Sequence, residues 1–366
     1  MTKVYKKDII IKNKRIFFID IEYNIYLKKK GIIKMLSNSL LIIDGSALLS
    51  KYYYGTIPKE LFSEKNQEKI KELQKQIKHT SYGTYTNAVE AMLRNVLYIV
   101  EKYNPKYLAV CFDLTRNTFR KKIYSKYKST RKDTPSPLIE QFDLAIQSLK
   151  SIGITVVCSN DYEADDYAGT LANKFEQDTD VYILTRDQDY YQLATNKTTV
   201  LMMQTNEEKL KLLENKFNRQ RYFENSFPFN IDEVKEWTGV YPYQIPDLKG
   251  IAGDASDNIP GITGVNTAAK SLLNVYATIE DLYNDLEKME KDNTYKESQI
   301  KLWKSTGLKR SPYNRLIKDE AKEQALMSKK LATIVKNIPL DIQLDDLKVK
   351  INEDNLKMLK MILELT

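Results

Sequence analysis

The chain holds one histidine, His79, and two cysteines, Cys111 and Cys158, in 366 residues. That is too few for a zinc cage of Cys and His ligands, and a disulfide scaffold is excluded. A Ser-His or Cys-His nucleophile would rest on His79 alone, which lies in a polar stretch with no partner in view. No run of about 18 uncharged apolar residues occurs, which argues against a membrane-spanning helix. Residues 1–34 mix Lys with Ile and Tyr and lack the long apolar region and small-residue cleavage site of a signal peptide. The expected location is the cytoplasm, where both cysteines stay reduced and act as small hydrophobes. Any chemistry must rest on carboxylates, cations or a metal ion.

What is present is a globular mixture, 42% apolar and 29% charged. The length suits two domains and an arm. Charge is unevenly spread. Residues 1–38 hold ten Lys/Arg against three Asp/Glu, and residues 116–132 hold eight against none, so with a net charge of +8 the rest of the chain is acidic. An acidic body with two basic segments suits a polyanion partner, because a basic segment releases counterions when it meets phosphates.

Apolar runs at 40–43, 107–112, 154–158 and 181–185 read as short buried strands. Helical spacing follows at 84–102, 138–150 and from about 163. Alternation of strand and helix predicts an α/β domain with a mostly parallel central sheet and helices on both faces. Segment 59–79 is charged with helical leanings. Segment 200–229 reads as an irregular connection, and 230–366 as mainly helical, with Gly/Pro turns densest at Gly253–Gly264 and no convincing strand.

The acids fall at informative places. Asp44, Asp113, the group Glu163/Asp165/Asp166 and the pair Asp187/Asp189 each follow the end of a predicted strand. In an open parallel sheet those ends form one edge, where ligands bind. Two like charges 4 Å apart at an effective dielectric of 20 cost about 4 kcal/mol. Such a cluster is tolerable with cations in it, and an all-oxygen ligand set suits Mg²⁺ or Mn²⁺. Glu163 and Asp166, three apart, share a helix face at a helix N-terminus. Two ions held this way suit phosphodiester hydrolysis.

These segments resemble the 5′-nuclease family, which includes the 5′→3′ exonuclease domain of bacterial DNA polymerase I and the free-standing flap endonucleases of phages and cells. The resemblance rests on five segments in order. They are Leu41-Ile42-Ile43-Asp44-Gly45-Ser46; Phe112-Asp113 with Thr118-Phe119-Arg120 and Tyr127-Lys128-Ser129-Thr130-Arg131; Tyr162-Glu163-Ala164-Asp165-Asp166; Thr185-Arg186-Asp187-Gln188-Asp189; and Gly253-Asp254-Ala255-Ser256-Asp257-Asn258-Ile259-Pro260-Gly261. It runs from about 40 to 345. It implies a PIN-like nuclease domain at 39–205 with a basic arch at about 114–135, after a basic extension at 1–38. It also implies a helical DNA-binding domain at 206–366 with a helix-hairpin-helix-type clamp at about 245–275.

The resemblance further implies a two-Mg²⁺ site in which Mn²⁺ can substitute. Asp44, Asp113, Glu163 and Asp165 would serve one ion and Asp166, Asp187, Asp189 and Asp257 the other, with Asp254 outside them. Lys128 and Arg120 would act at the scissile phosphate, with Tyr127 and Arg131 beside them and Lys51 facing another phosphate. Gly261, Gly264, Asn266 and Lys270 would belong to the clamp, whose loop would take K⁺. Asn266 stands where the family's hairpin glycine is expected and is read as a left-handed residue, and Thr267 as a helix cap.

The implied activity is that of a structure-specific 5′ nuclease, both 5′→3′ exonuclease and 5′-flap endonuclease, acting as a monomer. Its substrates would be DNA with flaps, nicks or free 5′ ends, and RNA primers in RNA–DNA hybrids. A DNA polymerase and a ligase would be separate partners. Two other readings stand beside it: a ribonuclease on the same sheet and a non-catalytic DNA-junction-binding protein. An aspartyl phosphatase would need a second Asp where Ser46 stands.

Overall fold

The computed structural model describes residues 36–365. The basic extension expected at 1–38 lies outside the described residues up to residue 35. Six strands form one sheet in the order β3-β2-β1-β4-β5-β6. They are β1 (Leu40–Asp44), β2 (Tyr107–Cys111), β3 (Thr155–Val157), β4 (Val181–Thr185), β5 (Thr198–Met203) and β6 (Ser226–Phe229). The first five are parallel and β6 is antiparallel. The chain leaves β1 toward β2 on one side and returns to β4 on the other, so the strand order reverses between β1 and β4. A crevice opens at such a switch point, outside the carboxyl ends of the strands.

Successive residues of a strand face opposite sides. Leu41, Ile43, Leu108, Val110, Tyr182 and Leu184 face one layer, which includes residues of α1 (Gly45–Thr56), α3 (Asn87–Tyr103) and α5 (Ser136–Ser151). Between α1 and α3 lies α2 (Gln67–Gln74), and α4 (Phe119–Ile123) stands in the basic arch. Leu40, Ile42, Ala109, Cys111, Val181 and Ile183 face the other layer, with α6 (Ala164–Phe175). That second core continues without a break to Trp303 in the helical half of the molecule. Cys111 is buried in β2 and Cys158 half-buried after β3, both free.

Helix α7 (Glu207–Phe217) joins β5 to β6; the helical half comprises α8 (Ile231–Thr238), α9 (Ile245–Ala252), α10 (Ala269–Leu273), α11 (Ile279–Lys291), α12 (Asn293–Ser305), α13 (Tyr313–Leu316) and α14 (Ala321–Ala332), and α15 (Glu353–Ile362) is the last helix of the described residues.

Two sequence expectations are corrected here. Segment 200–229 is not an irregular connection, because it completes β5 and supplies β6, so a boundary at 205 cuts the sheet. Pro228 lies within β6, which is an edge strand, where a residue without an N–H donor is tolerated. The chain after residue 332 does not stay with the helical half. Val335 N–H donates to Asp166, Val349 N–H to the Lys106 carbonyl and Asn352 N–H to the Ile152 carbonyl. Leu363, buried, and Leu356 and Leu359, half-buried, then join the core on the α5 side of the sheet.

Candidate active site

Asp44 ends β1 at the switch point. It caps α1, its Oδ1 accepting the Ala47 N–H at 2.9 Å, and its Oδ2 accepts the Thr185 hydroxyl at 2.7 Å from the end of β4. Asp113 follows β2, and its Oδ1 accepts the Ala164 N–H at 2.8 Å, tying it to the start of α6. Asp187 follows β4 and accepts the Asp189 N–H at 2.9 Å. These three acids line one open cleft of about 710 Å³ together with Asp189, Asp254, Lys249 and Arg131. A second cleft of about 420 Å³ adjoins it, shares Asp113, Ser50 and Arg131, and contains Glu163 and Lys128.

The remaining acids are interleaved with cations. Lys128 Nζ lies 2.5 Å from Glu163 and 3.8 Å from Asp257, and Arg131 reaches Asp257 at 2.5 Å. Lys249 contacts Asp189 and reaches Asp254 at 2.5 Å. Among the described residues no three acidic, His or Cys side chains converge as a ready-made metal cage. Lys128, Arg131 and Lys249 thus neutralise Glu163, Asp257, Asp189 and Asp254, which limits the mutual repulsion of carboxylates gathered around the two clefts.

The turn that delivers Asp257 is built on glycine. Gly253 and Gly261 have φ of +76° and +60°, and a Cβ on Gly261 would come within 2.1 Å of the Gly253 nitrogen. Asp254 and Ile259 exchange backbone hydrogen bonds of 2.8 Å across the turn. Asn258, itself left-handed, donates to the Lys126 carbonyl, and Lys128 N–H donates to the Asp257 carbonyl at 2.8 Å. The basic arch is thereby docked on the helical half, and Lys128 takes a left-handed φ of +54° to do it.

Several expected site residues stand elsewhere. Arg120 does not face the cleft. It is 1% exposed, its guanidinium grips both Asp166 oxygens at 2.7 Å, and it donates to the Leu331 and Thr333 carbonyls. Asp166 is fully buried and also accepts the Glu163 and Val335 N–H groups, so no oxygen is left for an ion. The three-residue spacing from Glu163 makes a helix-capping contact rather than a shared ligand face. Tyr127 is buried, its hydroxyl 3.3 Å from both Glu163 and Asp257, so it braces acids instead of meeting DNA. Lys51 is bound to Glu224.

Gly261 and Gly264 take the left-handed turns, whereas Asn266 does not. It opens a short 3₁₀ turn, its side chain bonded to the Thr267 N–H, and Thr267 caps no helix. Lys270 lines a small depression with Lys249 and Trp237. Lys249, missed in the sequence, carries a signal only in its position, one helical turn before Gly253.

The electrostatics favour a bound cation. Burial, with the Asp113 charge nearby, pushes the Asp44 carboxyl up to about 7. Burial and the Asp166 charge push Asp165 well up, and its Oδ1 is buried with no hydrogen-bond partner. Burial would raise Asp254 too, but Lys249 holds it down to about 2. Glu163 is likewise held below the usual range against its burial, by Lys128 and Arg120. An orphaned buried carboxylate oxygen beside unpaired acids is an all-oxygen donor set short of positive charge, and this fits a hard divalent ion.

Comparison with known proteins agrees with this architecture. Residues 39–223 match the model of the 5′-3′ exonuclease N-terminal resolvase-like domain, and residues 240–355 that of the 5′-3′ exonuclease C-terminal SAM fold. The chain is 31% identical over 258 residues to a 5′-3′ exonuclease of Bacillus subtilis, covering 70% of this chain and 77% of the relative. It is 30% identical over 318 residues to that of Buchnera aphidicola, covering 86% and 92%. DNA polymerase I of Caldicellulosiruptor bescii is 33% identical over 273 residues, 74% of this chain but only 28% of that polymerase's length.

The phage T5 5′-exonuclease, solved with bound zinc ions, shares the fold at a TM-score of 0.54 and 16% identity, over 81% of this chain and 89% of that one. The bacteriophage T5 flap endonuclease in a pseudo-enzyme-product complex with DNA and metal ions does so at 0.53 and 16%, over the same shares of each chain. Two exonuclease models in order, and relatives at this identity matched over 77% and 92% of their length, place the chain in the 5′-3′ exonuclease family.

Proposed function

We propose that this 5′-3′ exonuclease is a structure-specific 5′ nuclease that trims 5′ ends and cuts 5′ flaps at single-strand to double-strand junctions. The observation that carries the reading is the open cleft at the β1/β4 switch point. Asp44, Asp113 and Asp187 line it without a salt bridge among the described residues, and arch cations stand at its edge. Asp44, Asp113, Asp165 and Asp187 are the residues proposed to hold Mg²⁺, for which Mn²⁺ would substitute, and Glu163, Asp189, Asp254 and Asp257, paired with Lys and Arg side chains beside them, would complete the oxygen ligand set. When bound, such ions supply activation of the attacking water and neutralise charge on the phosphate and leaving oxygen.

The chain's own groups do the rest. Lys128 and Arg131 neutralise Glu163 and Asp257 before substrate enters, and their donors can turn to a phosphate in the cleft. Asp113, anchored on the Ala164 N–H, and Asp44, anchored on Ala47 and Thr185, are held in place before any ligand arrives. Contacts to phosphate rather than bases give weak sequence preference.

The proposed substrates are DNA with flaps, nicks or free 5′ ends and primer RNA in hybrids, and the proposed partners are a DNA polymerase and a ligase acting on the same strand. A K⁺ at the clamp turn would have to share the Gly264 carbonyl with the Arg315 guanidinium, which donates to it. No helix of the described residues is long and apolar enough to cross a membrane, and a cytoplasmic setting is proposed. End-labelled flap, nicked and single-stranded DNA, incubated with Mg²⁺ or with EDTA, tests the reading. Cleavage at the flap junction with Mg²⁺ only is expected, and equal cutting in EDTA, or none on any substrate, would overturn it.

A further inference from the structure

Four polar side chains meet beside the clefts. Glu224 stands just before β6, whose Ser226 pairs with Met203 at the carboxyl end of β5, so it sits on the sheet edge that carries Asp44 and Asp187. Its carboxylate receives Lys51 Nζ and Asn95 Nδ2 in close contact and the Tyr52 hydroxyl at 2.8 Å. Lys51 and Tyr52 come from α1 and Asn95 from α3. The Glu224 side chain is 12% exposed and that of Lys51 23%, so the cluster is sheltered but open to solvent on one side. Ser50, next to Lys51, lines both clefts.

One ammonium, one phenol and one amide on a single carboxylate make the donor set of an oxyanion site. Burial and the Glu224 charge push the Tyr52 phenol far up, so it remains a donor. Asn95 Oδ1 is buried with no partner, so on this side its amide is oriented by the Nδ2 contact to Glu224. The occupant is held at some expense. Glu224 has φ +56° and ψ +25°, and Asn225 follows at φ +52°, a left-handed backbone that residues with a Cβ disfavour.

We propose that in the DNA-free protein Glu224 occupies the donors of Lys51, Tyr52 and Asn95, and is displaced when a DNA backbone phosphate, the contact the resemblance implies for Lys51, seats there. The inference rests on the nuclease reading above. It adds a gate: an internal carboxylate keeps the cation neutral until a phosphate competes for it, so stray anions gain little.

The test is equilibrium binding of the full chain to a fluorescent 5′-flap duplex in EDTA, followed by anisotropy over a range of KCl, with thermal melts of each variant. Glu224→Gln frees Lys51 and should tighten binding about three- to tenfold, the size of one charge contact. It should also steepen the slope of log affinity against log salt by about one. Lys51→Met should weaken binding and flatten the slope by a similar amount, and the double variant should match Lys51→Met. A folded Glu224→Gln protein that binds no better than the wild type would overturn the gate and leave Glu224 a plain anchor. If Glu224→Gln does not fold, Lys51→Met decides, and unchanged affinity and slope would overturn the site. A wild-type chain that binds no flap DNA at all would count instead against the nuclease reading.

Discussion

Asp44 and Asp166 are both buried, and only the second has a cation on it. For Asp44 the displacement of its carboxyl from 3.8 to about 7 corresponds to an ionisation penalty of order 4 kcal/mol in the folded state. A bound divalent ion would remove that penalty. Asp44→Asn keeps a side-chain acceptor for the Ala47 N–H and discards the charge. In EDTA at pH 8 it should melt at or above the wild-type temperature, and its gain on adding Mg²⁺ should shrink relative to the wild type. A Mg²⁺-induced shift as large as the wild type's would remove Asp44 from the metal site. Asp187→Asn should abolish cleavage, by 100-fold or more on the usual scale of such losses, while its melting temperature and its DNA binding in EDTA stay near wild type. Near-normal single-turnover rates in that variant would contradict the metal reading. Arg120 behaves differently. Arg120→Met strands the buried Asp166 charge and should destabilise the protein by about 3–5 kcal/mol in urea unfolding. Arg120→Met with Asp166→Leu should recover most of that. Normal stability with only a slower chemical step would instead put Arg120 at the phosphate. In the sequence Asp44, Asp113 and Asp187 were legible because each ends an apolar run. The fate of Arg120 was not, since Asp166 and the Leu331 and Thr333 carbonyls that consume its donors reach it only in three dimensions.

At the scale of elements, the first four strands and the helices between them follow from apolar spacing. That signal is local, so it survives in a single sequence. β6 was hidden because its identity as a strand comes from pairing with β5, and Pro228 disguised it. The turn from Gly253 to Gly261 was visible as a motif. Its task of seating Asp257 under the arch was not, because that depends on Asn258 donating to the Lys126 carbonyl and Lys128 N–H to the Asp257 carbonyl, contacts between segments about 130 residues apart in the chain. Gly261→Ala forces a Cβ to within 2.1 Å of the Gly253 nitrogen at a left-handed φ. The turn should reopen at a cost of about 1–3 kcal/mol. Cleavage should fall further than stability does, because Asp257, Arg131 and Lys128 shift together. Equal activity in single-turnover assays would show that the arch keeps its place without the turn.

For the whole molecule, one core runs from the α6 side of the sheet to Trp303, and the chain's last described stretch crosses back to pack on the opposite face. Removing residues 353–366 takes Leu356, Leu359 and Leu363 off that face, each worth about 1–2 kcal/mol where buried. The truncated chain should melt several degrees lower and lose activity in step with folding. An unchanged melting temperature would mean that this tail adds nothing to the nuclease half. The sequence by itself determined where the strands end, and therefore which carboxylates reach the sheet edge, because apolar periodicity and strand geometry are properties of neighbouring residues. Only the tertiary structure decided which of those carboxylates remain open to a metal ion. The cations that neutralise the others, Arg120 on Asp166, Lys128 on Glu163 and Lys249 on Asp189, come from 46, 35 and 60 residues away, and electrostatic pairing over such separations is fixed by packing, not by proximity along the chain.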